Sequence, residues 1–223
     1  MDFTPLARPY FEYLARRTDR WGERLDDIQL TQLRSLLNRA SDCEIGRLYG
    51  FKELAKMADP RREFKSRVPM HSYEDIRRLV MRMVGGEKDI LWRGRCRNFA
   101  QSSGTSGGKS KYIPITPDSL QRCHYKGASD SVAHYLRSNP SSRIFSGKAM
   151  ILGGSFANEL DLGNKNVKVG DLSATLINEI NPVVNLFRVP DKRTALMADW
   201  GEKLPALVAA AKDSYITNIS GVP

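Results

Sequence analysis

The chain has 223 residues, of which 41% are hydrophobic and 27% charged, and its formal net charge is +10. This length and balance suit one large globular domain or two small ones, and they exclude a fibrous or low-complexity protein. No apolar run approaches the roughly 20 residues of a membrane helix and the start lacks a signal peptide's apolar core, so we expect a cytoplasmic protein without a membrane partner.

The cysteine content and the charge distribution indicate where the protein is found and what it could bind. The three cysteines form no CxxC pair, which predicts free thiols in a reducing compartment. Residues 1–111 hold 23 Lys and Arg against 15 Asp and Glu, but the two signs are mixed, which is typical of a solvated helical surface. The tightest basic cluster is a candidate polyanion contact and consists of Arg93, Arg95 and Arg97.

The first 95 residues carry the pattern of a mainly helical segment. Apolar residues at helical spacing predict helices over residues 3–21 and 28–40. A third helix is predicted to start at Ser72, where Asp75 three positions later gives a capping-box arrangement, and to end at Gly85-Gly86.

The pattern changes in the next segment. Residues 97–100 and 111–115 predict short strands, and Pro114 places the second strand at a sheet edge. The segment between them contains no large apolar side chain and predicts a loop. Thr116, followed by proline, is typical of a helix start, and that helix is expected to run to about Leu136.

The remainder mixes strands and helices. Residues 149–152 predict a buried strand closed by Gly153-Gly154, residues 157–170 a polar loop, and residues 215–219 another strand. Three helices are expected along this stretch: residues 171–180 capped by Asp171, residues 191–200 capped by Asp191, and residues 205–212.

These elements predict an α/β fold, in which a helical N-terminal part leads into part of a mixed β-sheet flanked by helices. We expect two parts of one truncated large domain: a mainly helical segment over residues 1–95 and an incomplete α/β nucleotide-binding subdomain over residues 96–223. The chain ends directly after a predicted strand and turn, where a further element usually follows.

The segment Ser102–Lys111, SSGTSGGKSK, combines glycines, hydroxyls and lysines. Glycines let backbone N–H groups approach a phosphate, hydroxyls donate to phosphate oxygens, and lysine adds positive charge. Gly108-Lys109-Ser110 matches the end of a Walker A loop, but Ser103 stands where the first glycine belongs, and a predicted strand follows instead of a helix. The residues alone leave two interpretations open: the phosphate loop of an adenylate-forming enzyme, or a flexible Ser/Gly surface loop.

The segment from Ser102 to Thr116 resembles the first nucleotide-binding motif of the auxin-responsive, or Gretchen Hagen, acyl-acid amido synthetases. The family pattern is roughly SSGTT-x-G-x-x-K followed by a Y/F-I-P strand, and Ser106 replaces its second threonine. The final ISGVP looks like a family segment that normally continues onward. Three further segments look like the bacterial branch of this adenylate-forming family: Cys123–Gly127, Gly153–Ser155 and Gly170–Ala174.

The resemblance implies a ligase that forms an acyl-adenylate from a carboxylic acid and ATP, with Mg²⁺, and then an amide with an amino acid. It implies no catalytic residue and no metal ligand within this chain, because the later family motifs lie beyond Pro223. We therefore expect no adenylation by this chain alone. The phosphate contacts that the resemblance implies are Ser102, Ser103, Gly104, Thr105, Ser106, Gly108 and Lys111.

Candidates for the acyl-substrate site lie further along the chain. Arg122, His124 and Tyr125 belong to the predicted helix and could face an acyl pocket, although a packed or surface position is the simpler interpretation. Gly154 and Ser155 follow an apolar strand, where α/β proteins often bind ligands, or they form a tight turn. The expected partners are a small carboxylic acid and an amino acid, with no specific nucleic acid. The alternatives are a non-catalytic nucleotide- or polyanion-binding fragment and a P-loop nucleotide hydrolase.

Overall fold

The N-terminal part of the chain is helical in the computed structural model, which describes residues 1–102, 110–158, 160, 162–163 and 166–221. The helices predicted over residues 3–21 and 28–40 are confirmed as α1 and α2. Three short helices that the sequence pattern did not reveal precede the longer α6. The bounds are α1 Thr4–Asp19, α2 Leu25–Ala40, α3 Glu44–Leu48, α4 Phe51–Leu54, α5 Pro60–Arg67 and α6 Tyr73–Val84.

α6 begins at the predicted capping box. The Ser72 N–H donates to Asp75 Oδ2 at 2.7 Å, and the Asp75 N–H donates to Ser72 Oγ at 3.4 Å. The apolar face of the helix buries Val80 and Met83 in one core cluster with Phe99. Because Phe99 belongs to a strand, this cluster joins the helical part of the chain to the α/β part.

The described strands form two three-stranded sheets, which the sequence did not separate. The first has the order β2-β1-β4 and is mixed, and Asn98 lies opposite both Ile115 and Lys168. The second has the order β5-β3-β6 and is parallel. Pro114 lies in edge strand β2, as predicted. The bounds are β1 Asn98–Gln101, β2 Tyr112–Ile115, β3 Lys148–Leu152, β4 Lys168–Gly170, β5 Arg188–Val189 and β6 Ile216–Gly221.

The prediction of a loop throughout residues 157–170 is wrong at its C-terminal end, where β4 forms. Val167 and Val169 are buried in the same core cluster as Phe99. β4 pairs with β1, which lies far earlier in the chain, and three residues are too few to show a strand's alternation. Long-range pairing, which local sequence does not display, therefore decides this strand.

A long helical segment follows β2, as predicted from Thr116. Thr116 Oγ1 accepts from the Ser119 N–H at 3.1 Å and so caps the segment. A π-helical turn, which was not predicted, interrupts the segment over six residues. Its parts are α7 Pro117–Ser119, the π-helical turn Leu120–Tyr125 and α8 Lys126–Ser138.

α8 packs against α1, so the two predicted parts of the chain are in direct contact. Leu14 and Ala15 of α1 form a buried cluster with Ala133 of α8. Thr18 Oγ1 lies 2.8 Å from His134 Nε2, and Arg8 Nη1 donates to the Leu136 carbonyl at 3.1 Å. His134 is exposed to solvent, and its hydrogen bond with Thr18 joins α8 to α1.

The C-terminal helices differ from the prediction. The prediction of a helix over residues 191–200 is wrong, because Asp191 caps only the short helix α10. The helix predicted to begin at Pro205 begins five residues earlier. Asp199 Oδ1 accepts from the Glu202 N–H at 3.0 Å, and this cap starts the longer helix. A 3₁₀ helix, Pro182–Phe187, was not predicted. The remaining bounds are α9 Leu172–Glu179, α10 Lys192–Ala195 and α11 Trp200–Lys212.

Candidate functional site

Both ends of the predicted phosphate loop are held together where β1 and β2 pair. The Ser102 N–H donates to the Lys111 carbonyl at 2.9 Å, and the Lys111 N–H donates to Ser102 Oγ at 3.1 Å. Gln101 Nε2 lies 3.1 Å from Ser110 Oγ and adds a third link. We call these four residues the loop base. The other predicted phosphate contacts lie outside the described residues: Ser103, Gly104, Thr105, Ser106 and Gly108.

Tyr73, the first residue of α6, supports the loop base from outside it. The Tyr112 N–H donates to the Tyr73 hydroxyl at 2.7 Å. The Lys111 ammonium lies 5.9 Å from the centroid of the Tyr73 ring, and Lys111 is exposed to solvent. An exposed ammonium beside paired strand ends is available to an anionic ligand. Sequence reasoning missed Tyr73, because nothing local connects it to the loop.

A second candidate site lies where β3 ends. The Gly154 N–H donates to Ser173 Oγ at 2.8 Å, and the Ser155 N–H donates to Asp171 Oδ2 at 2.8 Å. A Cβ atom on Gly154 would lie 2.1 Å from Asp171 Oδ2, so this position requires glycine. We call Gly153–Ser155 the sheet-edge turn.

Asp171 was predicted to cap α9, and that prediction is only half correct. It occupies the N-cap position, but its side chain makes no capping hydrogen bond to the helix. Its carboxylate instead accepts from Ser155, and its own N–H donates to the Ser155 carbonyl at 2.9 Å. Asp171 therefore fixes the turn rather than the helix end.

Lys203 of α11 also holds the sheet-edge turn. Its side chain is buried, with only 1% of the residue's surface exposed. The ammonium donates to the Gly153 carbonyl, and to the Met197 carbonyl at 3.1 Å. Burial lowers the pKa of Lys203, and the Asp171 charge opposes that effect. No sequence motif predicted a role for this lysine, because it lies fifty positions from Gly153 in the chain.

A cavity of about 340 Å³ lies beside this turn, at the carboxyl ends of β3 and β6. We call it the sheet-edge cavity. Most of its lining is apolar, and its polar residues are His124, Tyr125, Ser173 and Ser220. Ligands of open parallel sheets commonly bind at this end of the strands. The structure thus brings His124 and Tyr125 together, and Ser173 connects them to Gly154.

Tyr125 has the properties of a hydrogen-bond donor for a ligand. Its hydroxyl is buried and has no hydrogen-bond partner. Burial raises the pKa of Tyr125, and the charge of Glu179 raises it further. The phenol therefore stays protonated at neutral pH, and its hydroxyl is an unused donor on a residue that lines the sheet-edge cavity.

Arg122 does not join this group. It lines a different cavity, of about 470 Å³, together with Trp92 and Asp118. Asp118 accepts from Arg39 Nη2 at 2.7 Å and from Trp92 Nε1 at 3.0 Å, and Arg122 Nε lies 3.8 Å from the same carboxylate. The π-helical turn places Arg122 and Tyr125 on different cavities. The structure therefore separates Arg122 from the other acyl-site candidates.

The predicted basic cluster is also divided. Arg93 Nε lies 3.4 Å from Asp118. Arg95 and Arg97 are exposed and line a third cavity of about 510 Å³, which Tyr125 also lines. Only these two arginines remain available as a joint anion contact.

Neither a metal centre nor a membrane span is found among the residues that the structure describes. Those residues include no group of three or more His, Cys, Asp and Glu side chains placed to hold a metal ion. Over the same residues, no helix combines the length and the apolar character that a membrane crossing requires.

The loop base and the sheet-edge cavity lie at the ends of strands in an α/β protein, and both are candidate small-molecule sites. The model of the GH3 family N-terminal domain matches residues 15–204, which is most of the chain. The chain therefore belongs to the GH3 family.

Curated relatives include plant proteins. Indole-3-acetic acid-amido synthetase GH3.6 of Arabidopsis thaliana is 34% identical over 98 residues, covering 44% of this chain and 15% of that protein. Probable indole-3-acetic acid-amido synthetase GH3.7 of Oryza sativa subsp. japonica is 38% identical over 98 residues, covering 43% and 16%. The chain thus spans about one sixth of the length of these curated relatives.

Solved structures share the fold. The GH3.15 acyl acid amido synthetase matches with a TM-score of 0.61 at 24% identity, over 80% of this chain and 30% of that one, which shows the fold alone. AtGH3.15 acyl acid amido synthetase in complex with 2,4-DB matches with a TM-score of 0.57 at 26% identity, over 70% and 26%. The α/β fold class predicted from the sequence is confirmed.

Proposed function

We propose that this chain is the N-terminal part of an ATP-dependent ligase of the bacterial GH3 branch, which activates a carboxylic acid as an acyl-adenylate and transfers the acyl group to an amino acid. The observation that carries the proposal is the loop base, which joins the ends of a Ser/Thr/Gly-rich segment beside an exposed lysine. Family membership and the relatives' names support the reaction class.

In this proposal the loop contacts the ATP phosphates. Ser102 and Lys111 hold its ends, the Lys111 ammonium offsets phosphate charge, and Mg²⁺ accompanies the nucleotide. A carboxylate oxygen of the acid attacks the α-phosphorus and pyrophosphate leaves. The amine of the amino acid then attacks the acyl carbonyl, AMP leaves, and the amine loses a proton. Positioning and charge neutralisation are the protein's main contributions.

The sheet-edge cavity is the proposed place for the apolar part of the acid. Its apolar walls suit a hydrocarbon or aromatic body. Tyr125 and His124 are polar groups that could orient the carboxylate, and Tyr125 has an unused donor. Gly154 and Ser155 form the adjoining turn and are proposed to shape the site rather than to contact the acid.

We further propose that residues 1–95 and 96–223 are parts of one large domain and that this chain alone does not catalyse adenylation. The α1–α8 packing supports the first statement, and the small share of each relative that the chain spans supports the second. In a cytoplasmic enzyme, the acid, the amino acid and ATP would be the partners.

Two assays on the purified 223-residue chain test this function. We expect saturable ATP binding, about ten-fold weaker in Lys111→Ala but unchanged in the matched surface variant Lys52→Ala. We expect no acid-dependent exchange of pyrophosphate into ATP. Exchange above background would contradict the proposed inactivity, and ATP affinity that ignores Lys111 would contradict the phosphate role.

A second function is favoured by one observation, the exposed pair Arg95 and Arg97 beside a cavity. A non-catalytic polyanion-binding fragment would bind RNA or DNA in a strongly salt-dependent manner and would not prefer ATP. The P-loop hydrolase is disfavoured, because strand β2 begins at Tyr112, three positions after the candidate Walker lysine Lys109, where a Walker A loop would continue as a helix.

A further inference from the structure

A second apolar cavity is lined by residues of α1, α8 and the parallel sheet. Its volume is about 460 Å³. Ile151 of β3 lines both this cavity and the sheet-edge cavity, so that side chain forms their common wall. We call it the Arg188 cavity. Its walls are mainly aromatic and aliphatic and include Phe3, Phe11, Phe145, Phe187 and Val132.

Arg188 of β5 is an unusual member of this lining. Only 3% of its surface is exposed. Its Nε donates to Asn185 Oδ1 at 2.6 Å, but Nη1 and Nη2 are buried and have no hydrogen-bond partner. The charge of Asp191 acts on Arg188, and Asp191 Oδ1 accepts from the Thr194 N–H at 2.8 Å. Burial lowers the pKa of Arg188, which reflects the cost of this environment.

A buried guanidinium with two unused donor nitrogens is costly for a folded protein. A carboxylate is the group whose geometry matches it, because its two oxygens accept two parallel N–H bonds. We propose that the Arg188 cavity binds a monocarboxylate with an apolar body, the body lying among the phenylalanines and the carboxylate pairing with Nη1 and Nη2 of Arg188. Since both nitrogens are shielded from solvent, the guanidinium turns toward the cavity as the carboxylate enters.

This site is separate from the proposed acyl site and does not depend on adenylation. Apolar burial supplies most of the attraction, and Arg188 supplies the preference for an anion. An alcohol with the same hydrocarbon chain therefore gains the apolar burial but not the interaction of an anion with Arg188. That difference distinguishes the proposal from unspecific hydrophobic binding.

The test is calorimetric titration of the 223-residue chain with decanoate and, as matched probe, decanol. We expect the wild-type chain to bind decanoate about ten-fold or more tightly than decanol. Arg188→Met retains an unbranched apolar side chain and should abolish this preference, while decanol binding stays unchanged. Arg193→Met removes an exposed charge from the neighbouring α10 and should leave both affinities unchanged.

Equal binding of the two probes by the wild-type chain would overturn the proposal, as would decanoate binding that is indifferent to Arg188→Met. The latter result is also the one expected if decanoate occupies the sheet-edge cavity. If Arg188→Met does not fold, the variant Val132→Phe tests the proposal in its place, because the larger side chain fills the Arg188 cavity and leaves Arg188 intact. Loss of both probes then supports the site, and retained decanoate affinity refutes it.

Discussion

The loop base and the sheet-edge turn both follow a β-strand, but they are held in different ways. Ser102 and Lys111 bond to each other across the β1–β2 pair, within a short stretch of chain. The sheet-edge turn is fixed by Asp171, Ser173 and Lys203, which lie 16, 19 and 50 positions from their partners. Local closure leaves the Lys111 side chain exposed, whereas the turn is held by residues distant in the chain.

Adding one methyl group to the sheet-edge turn should have the largest effect on stability. We expect Gly154→Ala to lower the free energy of unfolding by about 3 kcal/mol, because the new Cβ would lie 2.1 Å from Asp171 Oδ2. Gly127→Ala is the control, since nothing lies within 4 Å of its added Cβ in α8, and alanine should stabilise that helix by up to about 1 kcal/mol. Urea denaturation measures both. Equal effects of the two substitutions would show that the turn is not tightly held.

Alkaline pH should weaken the core below the loop base. Cys96 is buried, donates to the Asn98 carbonyl at 3.2 Å, and desolvation raises its pKa from 9.0 to about 11. In the unfolded chain the Cys96 thiol ionises at a lower pH than in the folded protein. The free energy of unfolding therefore falls as pH rises from 9, and this decrease is complete near pH 11, where it amounts to about 2 kcal/mol. We expect Cys96→Ala to remove that part of the pH dependence.

Urea midpoints of both proteins between pH 8 and 11 measure the effect. Cys123→Ala, at an exposed cysteine, is the control and should follow the wild-type curve. Parallel curves for wild type and Cys96→Ala would contradict the assigned burial of the Cys96 thiol.

A smaller effect distinguishes the two roles of Asp171. We expect Asp171→Ala to cost about 1–2 kcal/mol, because the Ser155 N–H loses its acceptor. Serine is a good N-cap residue but is too short to reach Ser155, so Asp171→Ser should be as unstable as the alanine variant. Thermal unfolding measures the three proteins. Rescue by serine would mean that Asp171 acts as a helix cap after all.

The smallest change is expected at the loop base itself. Ser102→Ala removes one hydrogen-bond acceptor for Lys111 but leaves the backbone bond between the two residues, so stability should fall by under about 1 kcal/mol. ATP affinity should fall further than stability if the Ser102 hydroxyl also meets phosphate. ATP titration and thermal unfolding of Ser102→Ala and the wild-type chain measure the two effects. If Ser102 is purely structural, ATP affinity and stability will either both fall or both stay unchanged.

Much of the fold could be predicted because its signals are local. The Ser72–Asp75 capping box, the Thr116 cap and the helical spacing in α1 and α2 each involve residues a few positions apart. Short elements without such signals were missed or misplaced. β4 depends on pairing with β1. The start of α11 was misplaced although its signal is local: the helix begins at Trp200 rather than at Pro205, because the Asp199 cap before it satisfies the Glu202 N–H.

The candidate site was predicted in part. Sequence reasoning selected His124 and Tyr125, which the structure places on one cavity, and Arg122, which it places on another. Spacing on a regular helix could not reveal this division, because a π-helical turn changes the direction of successive side chains. The roles assigned to the phosphate-loop residues stay predictions.

The sequence by itself determined the phosphate-loop candidate between two strands, since residue types and spacing are readable along the chain. Only the tertiary structure decided how Asp171 and Lys203 fix the sheet-edge turn and which side chains share a cavity. It also decided that Arg188 lies buried with two donors unused. The physical reason is that burial and hydrogen-bond satisfaction depend on contacts between residues far apart in the chain, which no local pattern encodes.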